Sequence, residues 1–123
     1  MSVCDLPGDP SLILTTNVDL GGAKGDLLLQ LSKLVASATG KPESFVAICI
    51  NDNASMCFGG SDAPTALGCV YSLGSITKEN NSKIQAGVAD ALSDFAVPED
   101  RIYTNFFDMP RECVGWKRAT FAG

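Results

Sequence analysis

A strand–helix–strand order that occurs twice constrains this fold more than any other feature of the sequence. Apolar runs of strand length alternate with stretches in which apolar residues recur at helical spacing. The predicted elements are strands at about 11–18, 44–51, 66–73 and 101–107 and helices at about 23–38 and 78–95. Two β-α-β units of this kind predict an α/β (α+β) domain, with both helices on one face of a four-stranded mixed sheet.

The predicted first strand is apolar on both of its faces. Leu12, Ile13 and Leu14 form a continuous run, which is typical of a strand covered on both sides. Two helices on one face leave the other face bare, and monomers rarely expose apolar patches of that size. We therefore expect copies of the same chain to cover the sheet, as a ring of three or more subunits.

The composition is that of one acidic globular domain. The chain has 123 residues, a formal net charge of −5 and 46% hydrophobic residues, which suits a single domain. The negative charge opposes binding to nucleic acid or to an anionic membrane surface. No apolar run approaches the roughly 20 residues of a membrane-spanning helix. Residues 1–9 have neither the positive charge nor the apolar segment of a secretory signal peptide, so we expect none.

Histidine is absent, which removes the Ser-His-Asp and Cys-His types of catalysis and the commonest transition-metal ligand. The five cysteines are odd in number and include no C-x-x-C pair, which argues against a disulfide framework and a zinc site. We expect Cys49 and Cys69 to be small core residues inside strands. We expect no metal site.

Pro10 stands at the entrance of the predicted first strand. Proline is tolerated there because its missing N–H breaks no hydrogen bond of the sheet. A purely structural role is therefore sufficient to explain it from local chemistry alone.

Several segments, in order from Pro10 onward, resemble the macrophage migration inhibitory factor family of the tautomerase superfamily. The segments that carry the resemblance are Thr16-Asn17-Val18, Thr39-Gly40-Lys41-Pro42, Phe58-Gly59-Gly60-Ser61, Ser72-Leu73-Gly74, Asp100-Arg101-Ile102-Tyr103-Thr104-Asn105-Phe106 and Val114-Gly115-Trp116 with Thr120-Phe121-Ala122. The resemblance implies a homotrimer whose pockets lie between adjacent subunits. It also implies keto–enol tautomerisation of a small aromatic α-keto acid such as phenylpyruvate, or of dopachrome, without a cofactor.

In this family the catalyst is the secondary amine of an amino-terminal proline, and a nearby cation and partial burial lower its pKa. The resemblance assigns the catalytic proline to Pro10. It assigns the lysine that binds the substrate carboxylate to Lys41, and both are predicted catalytic residues. The other residues that match the family's pocket are Leu73, Tyr103 and Asn105 (the last two from the neighbouring subunit), Val114, Trp116 and Phe121.

Simpler roles remain open for some of these residues. A lysine directly after a helix, such as Lys41, is typical of a cap on the last carbonyl groups. Tyr103 and Phe121 are also compatible with core or interface aromatics. Asn105 is harder to explain structurally, because asparagine is depleted in strands.

The sequence departs from the family at the proline itself. Nine residues precede Pro10, so we divide the chain into an extension, 1–9, and a domain, 10–123. The Pro10 nitrogen is then a tertiary amide without useful basicity. We expect tautomerase activity to be impaired unless processing frees this nitrogen.

The alternative function is a non-catalytic, cytokine-like signalling or binding protein that acts through its surface. The family implies a cell-surface receptor as its partner. It also implies a cytoplasmic location, with secretion by a route that needs no signal peptide.

Overall fold

A computed structural model describes residues 9–123. The predicted extension therefore lies outside the described residues, except for Asp9. The helices and the main strands are β1 (Ser11–Thr16), α1 (Lys24–Thr39), β2 (Ala47–Asn51), β3 (Ala66–Ser72), α2 (Lys78–Ser93) and β4 (Ile102–Asp108), followed by the short strands β5 (Gly115–Trp116) and β6 (Ala119–Thr120). The doubled β-α-β order predicted from the sequence is confirmed.

The four main strands form one mixed sheet in the order β2-β1-β3-β4. β1 runs parallel to β2 and antiparallel to β3, and β3 runs parallel to β4. Each helix connects two parallel strands, which is the connection that a β-α-β unit requires. The predicted four-stranded mixed sheet with two packed helices is therefore correct.

Local sequence sets where the two helices begin and end. Gly40 follows α1 in the left-handed conformation with φ of 72°, and its N–H donates to the Ala36 carbonyl. Glycine adopts this conformation without a Cβ penalty, so it stops the helix there. Thr77 precedes α2, and its hydroxyl accepts a hydrogen bond of 3.1 Å from the Asn80 N–H. That bond satisfies one of the unpaired N–H groups at the helix start.

The core lies between the helices and one face of the sheet. In β1, the side chains of Leu12, Leu14 and Thr16 are fully buried, whereas Ile13 between them is 42% exposed. Side chains alternate between the faces of a strand, so Ile13 lies on the face opposite the helices. Leu67 and Phe107 are also largely exposed. In the single chain this open face carries exposed apolar side chains, as the sequence predicted, together with polar ones such as Thr15 and Asn105.

Three predictions differ from the structure. Cys49 is exposed rather than part of the core, because it pairs with Ile13 on the open face. Cys69 is only half-buried, for the same reason. The second strand begins at Ala47 rather than near residue 44, because a 3-10 turn spans Glu43–Phe45.

Candidate functional site

Pro10 is fixed at the start of β1. It is fully buried, and its carbonyl accepts a hydrogen bond of 3.1 Å from the Ala47 N–H of β2. The next residue, Ser11, pairs with Ala47 on one side and Tyr71 on the other. Pro10 thus stands directly before β1, as its sequence position predicts, and its carbonyl is bonded to β2.

Lys41 lies close to the start of β1 because α1 returns the chain to that end of the sheet. It follows the Gly40 cap, and only 4% of its surface is exposed. The charge of Lys41 acts on the Asp9 carboxyl group and favours its ionised form. A lysine is rarely buried to this degree unless it is paired. The structure thus places a cation beside the Asp9–Pro10 segment.

A cavity of about 290 Å³ opens next to this segment. Its apolar side is formed by the C-terminal hairpin, β5 and β6. There the rings of Trp116 and Phe121 stack with their centroids 5.5 Å apart. The full lining is Asp9, Ser44, Phe45, Val114, Gly115, Trp116 and Phe121. Three residues predicted for one pocket, Val114, Trp116 and Phe121, are therefore brought together.

The hairpin is held by its own hydrogen bonds. The Phe121 N–H donates to the Val114 carbonyl at 3.1 Å, and Nη2 of Arg111 donates to the Phe121 carbonyl at 2.7 Å. Nζ of Lys117 lies 4.5 Å from the centroid of the Trp116 ring, which is within the range of a cation–π contact. These contacts fix the aromatic wall of the cavity.

Leu73 follows β3 and is fully buried. β3 ends beside the start of β1, since Ser11 pairs with Tyr71. Leu73 is therefore near Asp9 in the fold but does not line the cavity. Pro10 and Lys41 also lie behind the lining rather than in it.

Tyr103 and Asn105 are not part of this cavity in the single chain. Tyr103 is level with Leu67 and Thr15 across the sheet. Thr15 is five residues from Pro10, a displacement of about 16 Å along the strand. Asn105 is exposed on the edge strand β4, and Tyr103 is 63% exposed. Both side chains therefore point away from their own chain's cavity and are available to a neighbouring molecule.

Tyr103 instead borders a second cavity, of about 340 Å³, with Cys57, Phe58, Gly59 and Leu67. Its ring centroid lies 4.8 Å from that of Phe58, with the two planes tilted by 50°. Arg101 holds this region, because its guanidinium donates hydrogen bonds to the Phe58, Ser61 and Ala63 carbonyls. The two groups of predicted site residues thus lie in two separate surface regions.

Asp9 lines the cavity beside Pro10, and sequence reasoning missed it as a site residue. Burial raises the pKa of its carboxyl group, while a hydrogen bond from the Ser11 hydroxyl and the charge of Lys41 act in the opposite direction. Its φ is 27°, in the left-handed region. The one signal in the sequence was its position directly before Pro10. Ser44 and Phe45 were also missed, although they follow Lys41-Pro42 closely.

Within residues 9–123, no helix is long and apolar enough to cross a membrane. The same residues contain no cluster of three or more histidine, cysteine or acidic side chains that is arranged to hold a metal ion.

The fold and this cavity define a class: a small β-α-β-β-α-β domain of the tautomerase superfamily, with a proline directly before its first strand. Comparison with known proteins identifies the family. The family model described as macrophage migration inhibitory factor (MIF) matches residues 9–122, and the chain belongs to this family.

Relatives with known sequences and structures agree with this assignment. A macrophage migration inhibitory factor homolog of Trichuris trichiura is 40% identical over 113 residues, which cover 91% of this chain and 99% of the relative. The crystal structure of a homologue from Prochlorococcus marinus has a TM-score of 0.86 and 29% identity, and the match covers 91% of this chain and 99% of that one. The macrophage migration inhibitory factor of Toxoplasma gondii has a TM-score of 0.85 and 34% identity, over 90% of this chain and 99% of that one.

Proposed function

We propose that this protein forms a homotrimer with a pocket for a small aromatic α-keto acid, such as phenylpyruvate, at each subunit boundary. The observation that carries the proposal is the cavity beside Asp9–Pro10, where a stacked aromatic pair faces a segment with a buried lysine behind it. Such a pocket combines an apolar wall with a few polar groups, as ligand sites usually do.

The open face of the sheet supports the trimer. It is crossed by rows of paired side chains, one of which contains Thr15, Leu67 and Tyr103. The rings of Tyr71 and Phe107 stack on it at 5.0 Å. An apolar face of this kind is stabilised when another subunit covers it. A neighbour placed there also brings Tyr103 and Asn105 to a pocket that their own chain cannot complete.

Each side chain then has a role in the proposed chemistry. The ammonium group of Lys41 attracts the substrate carboxylate, and Val114, Trp116 and Phe121 contact the aromatic ring. Tyr103 and Asn105 of the neighbouring subunit offer hydrogen bonds to the keto oxygen. A free Pro10 amine would move a proton between the carbon beside the ketone and the oxygen, acting first as base and then as acid.

In a chain that retains Asp9, the Pro10 nitrogen is bonded to the Asp9 carbonyl and takes no proton. Asp9 also lines the cavity in which the substrate carboxylate would sit. We therefore propose that tautomerase activity is impaired in the chain that retains Asp9 and is restored in a chain that begins at Pro10.

The pocket itself is tested in a chain of residues 10–123. Such a chain is expected to fold, since the relatives that match residues 9–122 are covered over almost their whole length. In it, Lys41→Ala should lower kcat/KM for phenylpyruvate tautomerisation roughly 10- to 100-fold, through loss of a charged hydrogen bond. Lys33→Ala, which removes an exposed lysine of α1, is the matched control and should change little. Equal activity of both variants would contradict the role of Lys41.

The second candidate function is non-catalytic signalling, and the blocked Pro10 nitrogen is the observation that favours it. A cytokine-like trimer that is held in the cytoplasm and exported without a signal peptide would act on a cell-surface receptor through its exterior. If a 10–123 chain shows no tautomerase activity while remaining trimeric, this candidate replaces the first.

A further inference from the structure

Asp9–Pro10 is the only aspartyl–prolyl bond in the sequence. In such a bond the side-chain carboxyl group lies within reach of its own backbone carbonyl carbon. The leaving group is a proline nitrogen, which is a stronger base than other peptide nitrogens and so leaves more readily once protonated. Carboxyl groups act as covalent nucleophiles in proteins. The Asp9–Pro10 bond, which blocks the candidate site, can therefore be cleaved by the side chain of its own aspartate.

The structure places backbone strain at this bond. Residues before proline are normally held in extended conformations, but Asp9 has a φ of 27°. On the other side, Pro10 is fully buried and its carbonyl is bonded to the Ala47 N–H. Since β1 fixes Pro10, the strain is carried by Asp9 and is released when the bond breaks.

The surroundings hold the carboxyl group in place. Asp9 lines the cavity, the Ser11 hydroxyl donates a hydrogen bond to its carboxylate, and the charge of Lys41 attracts it. The Ser11 hydroxyl and the charge of Lys41 therefore restrict the carboxyl group, and confinement of a reacting group in a reactive geometry raises the rate of an intramolecular reaction.

We infer that Asp9–Pro10 is a self-cleavage site, at which the Asp9 carboxyl group breaks the bond and frees the Pro10 nitrogen. Its consequence for catalysis rests on the function proposed above, whereas the cleavage itself does not. The freed amine is held by β1 at the edge of the cavity, so the cleavage converts the blocked site into an open one.

The reaction balances with one water molecule. The proton of the Asp9 carboxyl group passes to the Pro10 nitrogen, and a carboxyl oxygen bonds to the Asp9 carbonyl carbon. The carbon–nitrogen bond then breaks, and its electron pair stays on nitrogen. The products are a five-membered cyclic anhydride at Asp9 and a secondary amine at Pro10. Water opens the anhydride to two carboxyl groups, and nothing is oxidised or reduced.

The reaction consumes the protonated carboxyl group, so it slows as pH rises through the Asp9 pKa. Burial raises this pKa, which extends cleavage toward milder pH than for an exposed aspartate. The charged or titratable side chains on the elements near Asp9 and its cavity are Lys41, Glu43, Tyr71, Asp108, Arg111, Glu112, Lys117 and Arg118. Among them, Lys41 is the residue whose charge acts on the Asp9 carboxyl group. This charge lowers the pKa of Asp9 and so opposes the effect of burial.

The test follows the fragment 10–123 by intact mass spectrometry during incubation of the full chain at mildly acidic pH. Ala63→Asp supplies a matched control, because it creates a second aspartyl–prolyl bond, before Pro64, at an exposed position that has no positive φ. In the folded protein we expect cleavage at Asp9–Pro10 at least about tenfold faster than at the second bond. In guanidinium chloride the two rates should become equal.

Equal rates in the folded protein would overturn the inference. The unsubstituted chain allows a similar comparison. Its cleavage at Asp9–Pro10 should be faster in the folded protein than in guanidinium chloride. Slower cleavage in the folded protein would refute the inference of a self-cleavage site. Asp9→Asn should abolish acid-dependent cleavage, and Asp9→Glu, which would need a larger ring, should slow it.

If the freed chain forms but has no tautomerase activity, the proposed function fails and the cleavage stands. If a directly expressed 10–123 chain is active but the full chain never cleaves, the self-cleavage inference fails and the proposed function stands.

Discussion

At the scale of single residues, the candidate site depends on one bond between Asp9 and Pro10. The Pro10 carbonyl accepts a hydrogen bond from the Ala47 N–H, the adjacent Ser11 pairs with a strand on each side, and Asp9 lines the cavity. In the proposed function, the nitrogen that would transfer the proton is therefore held in an amide bond. Lys41 is buried near the same segment, and its charge acts on the Asp9 carboxyl group.

The raised pKa of Asp9 predicts how stability changes with pH. Burial disfavours the ionised carboxylate in the folded protein, so the protonated form favours folding. This contribution is fully present below the unfolded-state pKa of about 3.9 and is lost as pH rises through the higher folded-state pKa. Asp9→Asn should remove that part of the pH dependence and raise Tm at neutral pH.

Thermal melts of both proteins across the acidic range test this prediction. Asp62→Asn removes the same charge at an exposed position and should leave the pH dependence in place. A lower Tm for Asp9→Asn than for the unsubstituted protein at neutral pH would show that the ionised carboxylate stabilises the fold, contrary to the prediction.

At the scale of elements, α1 and α2 pack closely at Gly87. A Cβ built there would lie 2.4 Å from Cδ1 of Leu34, which is too close for ordinary packing. Gly87→Ala should therefore lower the free energy of unfolding by about 1 to 3 kcal/mol, despite the better helix propensity of alanine. Urea denaturation measures this change.

Gly25→Ala is the matched control for that substitution. Gly25 lies in α1 with no atom near its missing Cβ, so alanine should stabilise the helix by up to about 1 kcal/mol. In a Leu34→Ala background, the cost of Gly87→Ala should largely disappear. Stabilisation by Gly87→Ala alone would mean that the helices do not contact each other as closely as described.

The elements were predictable from sequence wherever periodicity was long enough to detect. The apolar run from Leu12 to Leu14 predicted β1, and Gly40 predicted the end of α1, because one residue type suits the left-handed cap. The hairpin strands at Gly115–Trp116 and Ala119–Thr120 have two residues each, which is too short for any period. The apolar run that leads into β2 already begins at Phe45, the last residue of the turn, so the run alone did not show where the strand starts.

The site was predictable mainly through the resemblance. Trp116 and Phe121 were expected in one pocket, and their stacked rings do line one cavity. The position of the Asp9 carboxyl group was not predictable, since it depends on Lys41, a residue 32 positions away along the chain. Patterns in neighbouring residues do not indicate interactions between residues that are so far apart in the sequence.

At the scale of the whole molecule, the open sheet face predicts assembly. Leu67 is 47% exposed at its centre, beside Tyr103 in the next strand. Leu67→Glu would place a charge in an apolar subunit boundary, so it should shift the protein from trimer toward smaller species. Sedimentation velocity reports the mass of the species directly.

Leu29→Glu provides the control for the assembly prediction. Leu29 is 63% exposed on α1, within the helical layer, and the same substitution there should leave the trimer intact. A protein in which Leu67→Glu has the same mass as the unsubstituted trimer would show that this face is not the boundary between subunits.

The decisive experiment compares kcat/KM for phenylpyruvate tautomerisation in two chains, one that retains Met1–Asp9 and one that begins at Pro10. Mass spectrometry before and after the assay confirms which chain is present. Proton transfer by a positioned group contributes roughly 10²- to 10⁴-fold, so the chain that begins at Pro10 should be faster by about that factor. Equal, high activity in a chain shown to retain Asp9 would contradict the central claim that the bond between Asp9 and Pro10 blocks the site.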